Sequence, residues 1–191
     1  MNESKFKIQG DVLNFEKNVA EVVTKRRTRR DVRETVLFIH CPRDTKLKKG
    51  DNALFIGTMS NTIDNPETKL SAEYIEKTEE GEYENIAQII GKVYSNDYRP
   101  ATGQKAGFTS LAVAAGKALF NVTSFRGLCV NWAKNAKEGR PVDFLGYIQR
   151  RLMINGETQE PLIDDNGNER FSVEVICRDA ARNMLNPLPK D

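Results

Sequence analysis

Five places in the second half of the chain set an aromatic side chain beside a cation: Tyr98 next to Arg99, Phe125 next to Arg126, Trp132 beside Lys134, Tyr147 just before Arg150 and Arg151, and Phe171 next to Arg170. A flat ring offers a face to a nucleobase and a cation offers a partner to a phosphate. The combination therefore suits an unpaired polynucleotide held irrespective of its sequence. Each ring has a competing fate in the core, since strands commonly turn aromatics inward, and Phe125 and Phe171 are placed equally well for either. Trp132, flanked by Asn131 and Ala133 at the end of an expected strand, is read as a surface stacking platform.

The first half carries the sharpest local charge. Lys25, Arg26, Arg27, Arg29, Arg30 and Arg33 are interrupted by a single carboxylate, Asp31, and lie between two strand-like runs, which predicts a projecting basic hairpin. Neutralising phosphates with such a loop releases counterions and gives strong, salt-sensitive affinity with little sequence preference. The alternative is a solvated loop kept for solubility, although repulsion among six like charges favours the company of a polyanion. With 29 basic and 27 acidic residues the net charge is only +2, so any electrostatic function has to be local.

Catalytic chemistry has little to work with. The single histidine, His40, sits in an apolar run between Ile39 and Cys41 and reads as a core residue. No phosphate-binding glycine loop, dinucleotide fingerprint or nucleophile elbow is found. The run Asp164 to Glu169 lacks the glycine and the terminal glutamate of a calcium loop, and its Asn166-Gly167 pair predicts a hairpin turn instead. Cys41, Cys129 and Cys177 are odd in number and far apart, which predicts reduced, buried thiols. No enzyme, cofactor or metal is expected. A polar N-terminus and the lack of any long apolar run predict a cytoplasmic protein away from the membrane.

The elements that must position these side chains are strands. Alternation or short apolar runs predict them at 6–13, 35–41, 52–59, 70–75, 86–93, 108–114, 125–130, 142–148 and 171–176, with no long helix. Residues 77–85 are acidic and predict a solvated connector between an N-terminal unit, 1–76, and a second unit, 86–184, followed by a short tail, 185–191. Both halves share an order: a strand with an internal glycine, a loop, further strands, a Gly turn, a second glycine-containing strand (Gly57, Gly146), then an alternating strand. This weak duplication predicts an all-β chain of two tandem five-stranded barrels, each closed so that no edge is exposed. One larger β-domain is the competing arrangement.

The stretch Gly91-Lys92-Val93, Asn96-Asp97-Tyr98-Arg99, Thr102-Gly103 and Phe108 to Val113 resembles the opening of bacterial single-stranded-DNA-binding proteins. Phe125 to Val130, Asn131 to Ala136, Glu138-Gly139, Val142 to Ile148 and Asp165 to Val175 continue the resemblance in order, over about residues 86–180. The family's helix before the Glu138-Gly139 turn is reduced to a few residues. The first half matches by strand order and by the Lys49 to Met59 segment. The chain ends Asn186-Pro187-Leu188-Pro189-Lys190-Asp191 without the family's acidic, phenylalanine-terminated tip, so recruitment of proteins through a tail is not expected.

The resemblance implies that both barrels are Greek-key barrels of the oligonucleotide-binding (OB) type with long hairpin loops. It also implies binding of single-stranded DNA without strong sequence preference, in replication, recombination or transfer of a phage or mobile element. Tyr98, Phe125, Trp132, Tyr147 and Phe171 would stack bases, while Lys25, Arg26, Arg27, Arg29, Arg30, Arg33, Arg99, Lys134, Arg150 and Arg151 would hold phosphates. The long segment from Arg150 to Arg170 carries Met153, Ile154, Leu162 and Ile163 without core register, which predicts burial against a second subunit and favours a homodimer. RNA shares the same physics, with preference for a 2′-hydroxyl as its mark. A barrel that serves as a protein-interaction scaffold is the reading from a different class.

Overall fold

The computed structural model describes residues 3–28, 31–62, 67–79, 81–103, 107–125, 132, 135–177 and 184–185. Strands β1 (Glu3–Glu16), β2 (Val19–Arg27), β3 (Val32–His40), β4 (Asn52–Ser60) and β5 (Lys69–Thr78) form a first group. A second comprises β6 (Glu84–Arg99), β7 (Phe108–Ala115), β8 (Ala118–Phe125), β9 (Pro141–Leu152) and β10 (Phe171–Cys177), with a short β11 (Met184–Leu185) on β9.

Hydrogen-bond pairing closes each group on itself. Around the first ring the order is β1-β2-β3-β5-β4 and back to β1, antiparallel throughout except for the parallel β3–β5 contact at Ile39↔Leu70. The second repeats it as β6-β7-β8-β10-β9 and back to β6, again with one parallel contact, Val122↔Val175. A closed five-stranded ring of this connectivity is the OB fold, so the chain is all-β, with two such rings in tandem.

Both rings obtain their curvature in the same way. β1 is bulged between Val12 and Asn14, and β6 between Val93 and Ser95, just past the matching glycines Gly10 and Gly91. A Cβ at either glycine would come within 2.3 Å of the Val23 carbonyl oxygen or 2.2 Å of that of Ala114, so the tight bend admits no side chain. The extra residue at each bulge, Leu13 or Tyr94, is turned out to solvent.

The rings join through β1 and β6, paired antiparallel from Glu3↔Ile90 to Gln9↔Glu84. Phe6↔Ala87 lies at the centre of this ladder, so a local two-fold relates the rings there; both residues are buried, a large side chain filling the space a small one leaves. The core is continuous across the junction: Phe6, Ile8, Leu37, Ile39, Phe55 and Leu70 from one ring belong to the same cluster as Ile89, Leu111, Phe120, Val122, Phe144 and Ile148 from the other.

The structure departs from the sequence reading in several places. β2 begins after the two-residue turn Lys17-Asn18, whose φ values of 50° and 60° are those of a tight hairpin turn made without glycine. A strand that the sequence reading did not place runs from Ala118 to Phe125, entered through the Gly116-Lys117 turn; the strand expected over 125–130 lies, apart from Phe125, outside the described residues.

The expected solvated connector is anchored on the first ring. The Gln9 amide donates to Asn52, Thr78 and Glu82, the Asn52 amide donates to Asp11 and to the Glu82 carbonyl, and the Tyr83 hydroxyl donates to Asp11 at 2.6 Å. Burial raises the Asp11 pKa, but the bonds from Tyr83 and Asn52 and the charge of Lys25 outweigh it and hold the carboxyl below its usual value. His40 is half-buried, with its pKa lowered by burial and then by Lys69, which leaves a neutral imidazole. Cys177 is buried and Cys41 half-buried, both free thiols; Cys129 lies outside the described residues.

Candidate nucleic-acid interface

Among the described residues, aromatic–cation pairs join side chains of different strands; Arg126 and Lys134, the neighbours of Phe125 and Trp132, lie outside them. Successive residues of a strand point to opposite faces, so a ring cannot stack on the cation next to it in sequence; the partner directly across the ladder can. Arg99 lies over Phe108, its cross-strand partner, at 5.5 Å, rather than over Tyr98. Arg26 lies over Tyr147 at 4.2 Å. Arg150 is placed between two rings, 3.4 Å from the centre of Phe171 and 4.8 Å from that of Phe38.

Those last two pairs tie the rings together. Arg26 leaves the first ring to cover a tyrosine of the second, and Arg150 leaves the second to reach Phe38 of the first. On the far side of the two-fold the Asn61 amide plays the corresponding part, donating to the Leu119 carbonyl at 2.7 Å and accepting from its N–H at 2.8 Å. Burial lowers the Arg150 pKa, opposed by the carboxylates of Glu67, Glu21 and Glu169. Replacing Arg150 with Met keeps much of the packing and removes the cation from both rings. We expect Arg150→Met to cost about 1–2 kcal/mol, read from the urea midpoint; an unchanged midpoint would remove this contact from the junction.

Phe108 and Phe125 are opposite each other on β7 and β8, with ring centres 6.2 Å apart, on the outward face of the second ring. With Arg99 over Phe108 they form a short row of π surfaces across three strands. Tyr98, 42 % exposed, stands on the part of β6 that runs beyond the ring, on the face opposite to Arg99, and Tyr94, 60 % exposed, is the residue turned out at the bulge. Sequence reading missed Phe108, Tyr94 and Phe38 as site residues. The antiparallel register of β6 on β7 is the signal that would have found Phe108, since it sets that ring opposite Arg99.

The basic segment forms the expected hairpin. β2 and β3 pair through Lys25↔Glu34, Arg26↔Arg33 and Arg27↔Val32. A turn closes their ends, in which the Thr28 N–H donates to the Asp31 carbonyl at 2.8 Å and the Thr28 hydroxyl donates to the Asp31 carboxylate. Arg27 and Arg33 are exposed, with Arg33 3.5 Å from Asp31. Lys25 is otherwise engaged, 4.8 Å from the Tyr83 ring and 3.8 Å from both Asp11 and Glu34. Its pKa is raised by the contact with Tyr83 first and by the two carboxylates after it. Arg151 is ion-paired with Glu174 at 3.2 Å. Arg29, Arg30, Arg126 and Lys134 lie outside the described residues.

The expected tryptophan platform is contradicted. Trp132 is 1 % exposed, and its ring lies 4.3 Å from that of Phe144 inside the second ring of strands. The Ala136 N–H donates to the Trp132 carbonyl at 2.8 Å, and the indole is turned inward. The Asn96 amide caps the carbonyls of Trp132 and Ala136. The indole thus plugs the barrel, as a large apolar side chain does wherever a turn lets it reach the core.

No family model matches the chain, and no curated protein is similar to it in sequence. Among solved structures, the wild-type single-stranded DNA binding protein from Thermus aquaticus is similar over 100 % of this chain and 96 % of that one, with a TM-score of 0.75 at 14 % identity. A deletion mutant of the same Thermus aquaticus protein is similar over 100 % and 97 %, with a TM-score of 0.74 at 16 % identity. The likeness spans both rings from end to end, and what this chain shares with those structures is their fold.

Proposed function

We propose that the chain binds single-stranded DNA, with little preference for sequence, through the outward face of the second ring and the basic hairpin of the first. The observation that carries this is the row Arg99, Phe108 and Phe125 on the β7–β8 face of a ring whose connectivity is that of an oligonucleotide-binding fold. The end-to-end likeness to a single-stranded DNA binding protein supports the same reading. Phe125, Tyr98 and the added Phe108 serve the bases, and Arg27, Arg33 and Arg99 the phosphates, with Arg29, Arg30 and Lys134 as further cations. Tyr147, Phe171, Arg26 and Arg150 contribute by holding the rings in register.

The chain is read as a binding protein and not an enzyme. Residues 1–76 and 86–184 would act as two binding units joined by 77–85, in a cytoplasmic homodimer whose contact includes apolar side chains of the Arg150 to Arg170 arm. That arm leaves Ile154 and Ile163 exposed. Protection of strands during replication, recombination or mobile-element transfer is the role this chemistry suits.

A titration of a labelled poly-dT strand, followed by anisotropy at several salt concentrations, tests the reading. Log affinity is expected to fall linearly with log salt, with a slope of about −0.7 for each phosphate neutralised. Tighter binding of the matching ribose strand would reassign the ligand to RNA. Absence of binding at low salt would overturn the proposal in favour of a protein scaffold.

A further inference from the structure

The two rings have opposite loops. In the first, the β1–β2 connection is a two-residue turn, while β2 and β3 run on past the ring as the basic hairpin. In the second, the β7–β8 connection is the tight one, at Gly116-Lys117, while β6 and β7 run on past the ring through Asp97↔Ser110, Tyr98↔Thr109 and Arg99↔Phe108. One copy of the fold has lengthened the connection that the other shortened.

The chemistry of the two extensions also differs. The sequence of the first, residues 25–34, has six cations against two carboxylates and contains no aromatic residue. Arg26 and Arg33 stand directly opposite each other there and share the field of one carboxylate, Asp31, which lies 3.5 Å from Arg33. The nearest aromatics of that ring are committed elsewhere, Tyr83 beneath Lys25 and Phe38 beneath Arg150. The second extension carries Phe108 beneath Arg99 and, on the opposite face of the ladder, Tyr98, with the cation Arg99 held by Asp97 at 3.2 Å, so it presents π surface with its own charge compensated. Nearby Arg151 is compensated by Glu174 in the same way.

Taking the single-stranded DNA reading as given, we infer that the rings divide the ligand between them: the first ring's hairpin holds phosphates, and the second ring's β6–β7–β8 surface holds bases. Salt dependence then belongs to the first ring and any preference among base types to the second. A bound strand would also have one orientation, because the two ends of the site recognise different parts of a nucleotide.

The experiment compares a dT oligonucleotide with an abasic strand of the same length, which keeps every phosphate and removes every base. Two double variants of the full chain are used, Arg27→Ala with Arg33→Ala, and Tyr98→Ala with Phe108→Leu. All four positions are exposed or half-buried, and circular dichroism confirms that each variant is folded. The arginine variant is expected to flatten the salt slope by about 0.7 per lost phosphate contact on both strands, leaving the dT-to-abasic affinity ratio unchanged. The aromatic variant is expected to lower that ratio by about tenfold with the slope unchanged, the size of one lost base stack.

The division is overturned if the arginine variant changes the ratio, if the aromatic variant changes the slope and spares the ratio, or if the wild-type chain binds both strands equally. Failure of the wild type to bind either strand is a different result, which removes the single-stranded DNA reading itself.

Discussion

Gly57→Val is expected to prevent stable folding or to cost about 3 kcal/mol or more, the upper range for forcing bulk into a packed site. A Cβ built at Gly57 would lie 2.0 Å from the Ser71 carbonyl oxygen and 2.8 Å from the Ala72 Cα, both backbone atoms of β5. Backbone cannot swing aside as the end of a long side chain can. The ladder itself would have to part at the Ile56/Gly57 bulge, where β4 crosses β5 and the first ring closes. Gly146 is the counterpart in the second ring, where a Cβ would sit 2.5 Å from the Ile176 carbonyl oxygen. Chemical denaturation checks the expectation, with Gly139→Ala as the contrast. That glycine has open space around it and a φ of 78°, so its cost is the smaller one of a left-handed backbone, about 1 kcal/mol. If Gly57→Val unfolded at the wild-type midpoint, the close crossing of β4 and β5 would be wrong.

These glycines also show what could be read from the sequence alone. Gly57 and Gly146 marked the two halves as versions of one pattern because a strand tolerates an internal glycine only where something comes close to it. That pattern carried the tandem barrels, and the structure gives both rings the same connectivity. Turns were legible where their chemistry was conventional, as at Asn166-Gly167, where Gly167 has φ 83° and the Asp164 carboxylate accepts from the N–H groups of Asn166 and Asn168. The Lys17-Asn18 turn was not, because lysine carries no signal for a positive φ, and β2 went unseen with it.

The site was harder to read for a definite reason. Adjacency in sequence is a poor guide to stacking in a sheet, and the contacts that occur depend on register. Arg26 with Tyr147 and Arg150 with Phe38 join positions more than a hundred residues apart, across an interface between rings that no local pattern describes. Tyr147, Phe171, Arg26 and Arg150 were therefore legible as rings and cations, whereas their register and the rings Phe38 and Phe108 were not. Tyr147, expected to meet a ligand, lies beneath Arg26 of the other half of the protein.

Trp132 has the greatest consequence among these, because a single tryptophan is the natural optical probe of a stacking protein. Its burial against Phe144 predicts blue-shifted emission and weak quenching by acrylamide in the free chain. Because the indole is buried and cannot stack on a base, quenching by an added strand is not the measure of binding, and a label on the oligonucleotide is needed. Trp132→Ala is expected to cost about 3–5 kcal/mol, as for other large side chains removed from a core. It removes the plug from the second ring and leaves Phe144 facing a cavity. Trp132→Phe keeps the apolar contact and is expected to cost less than half as much. If the chain binds DNA as proposed, affinity should be nearly unchanged for the phenylalanine variant under conditions where it is fully folded, since the indole lies in the core. A large loss of affinity in folded Trp132→Phe, or red emission from the wild type, would return this residue to the surface and to the binding site.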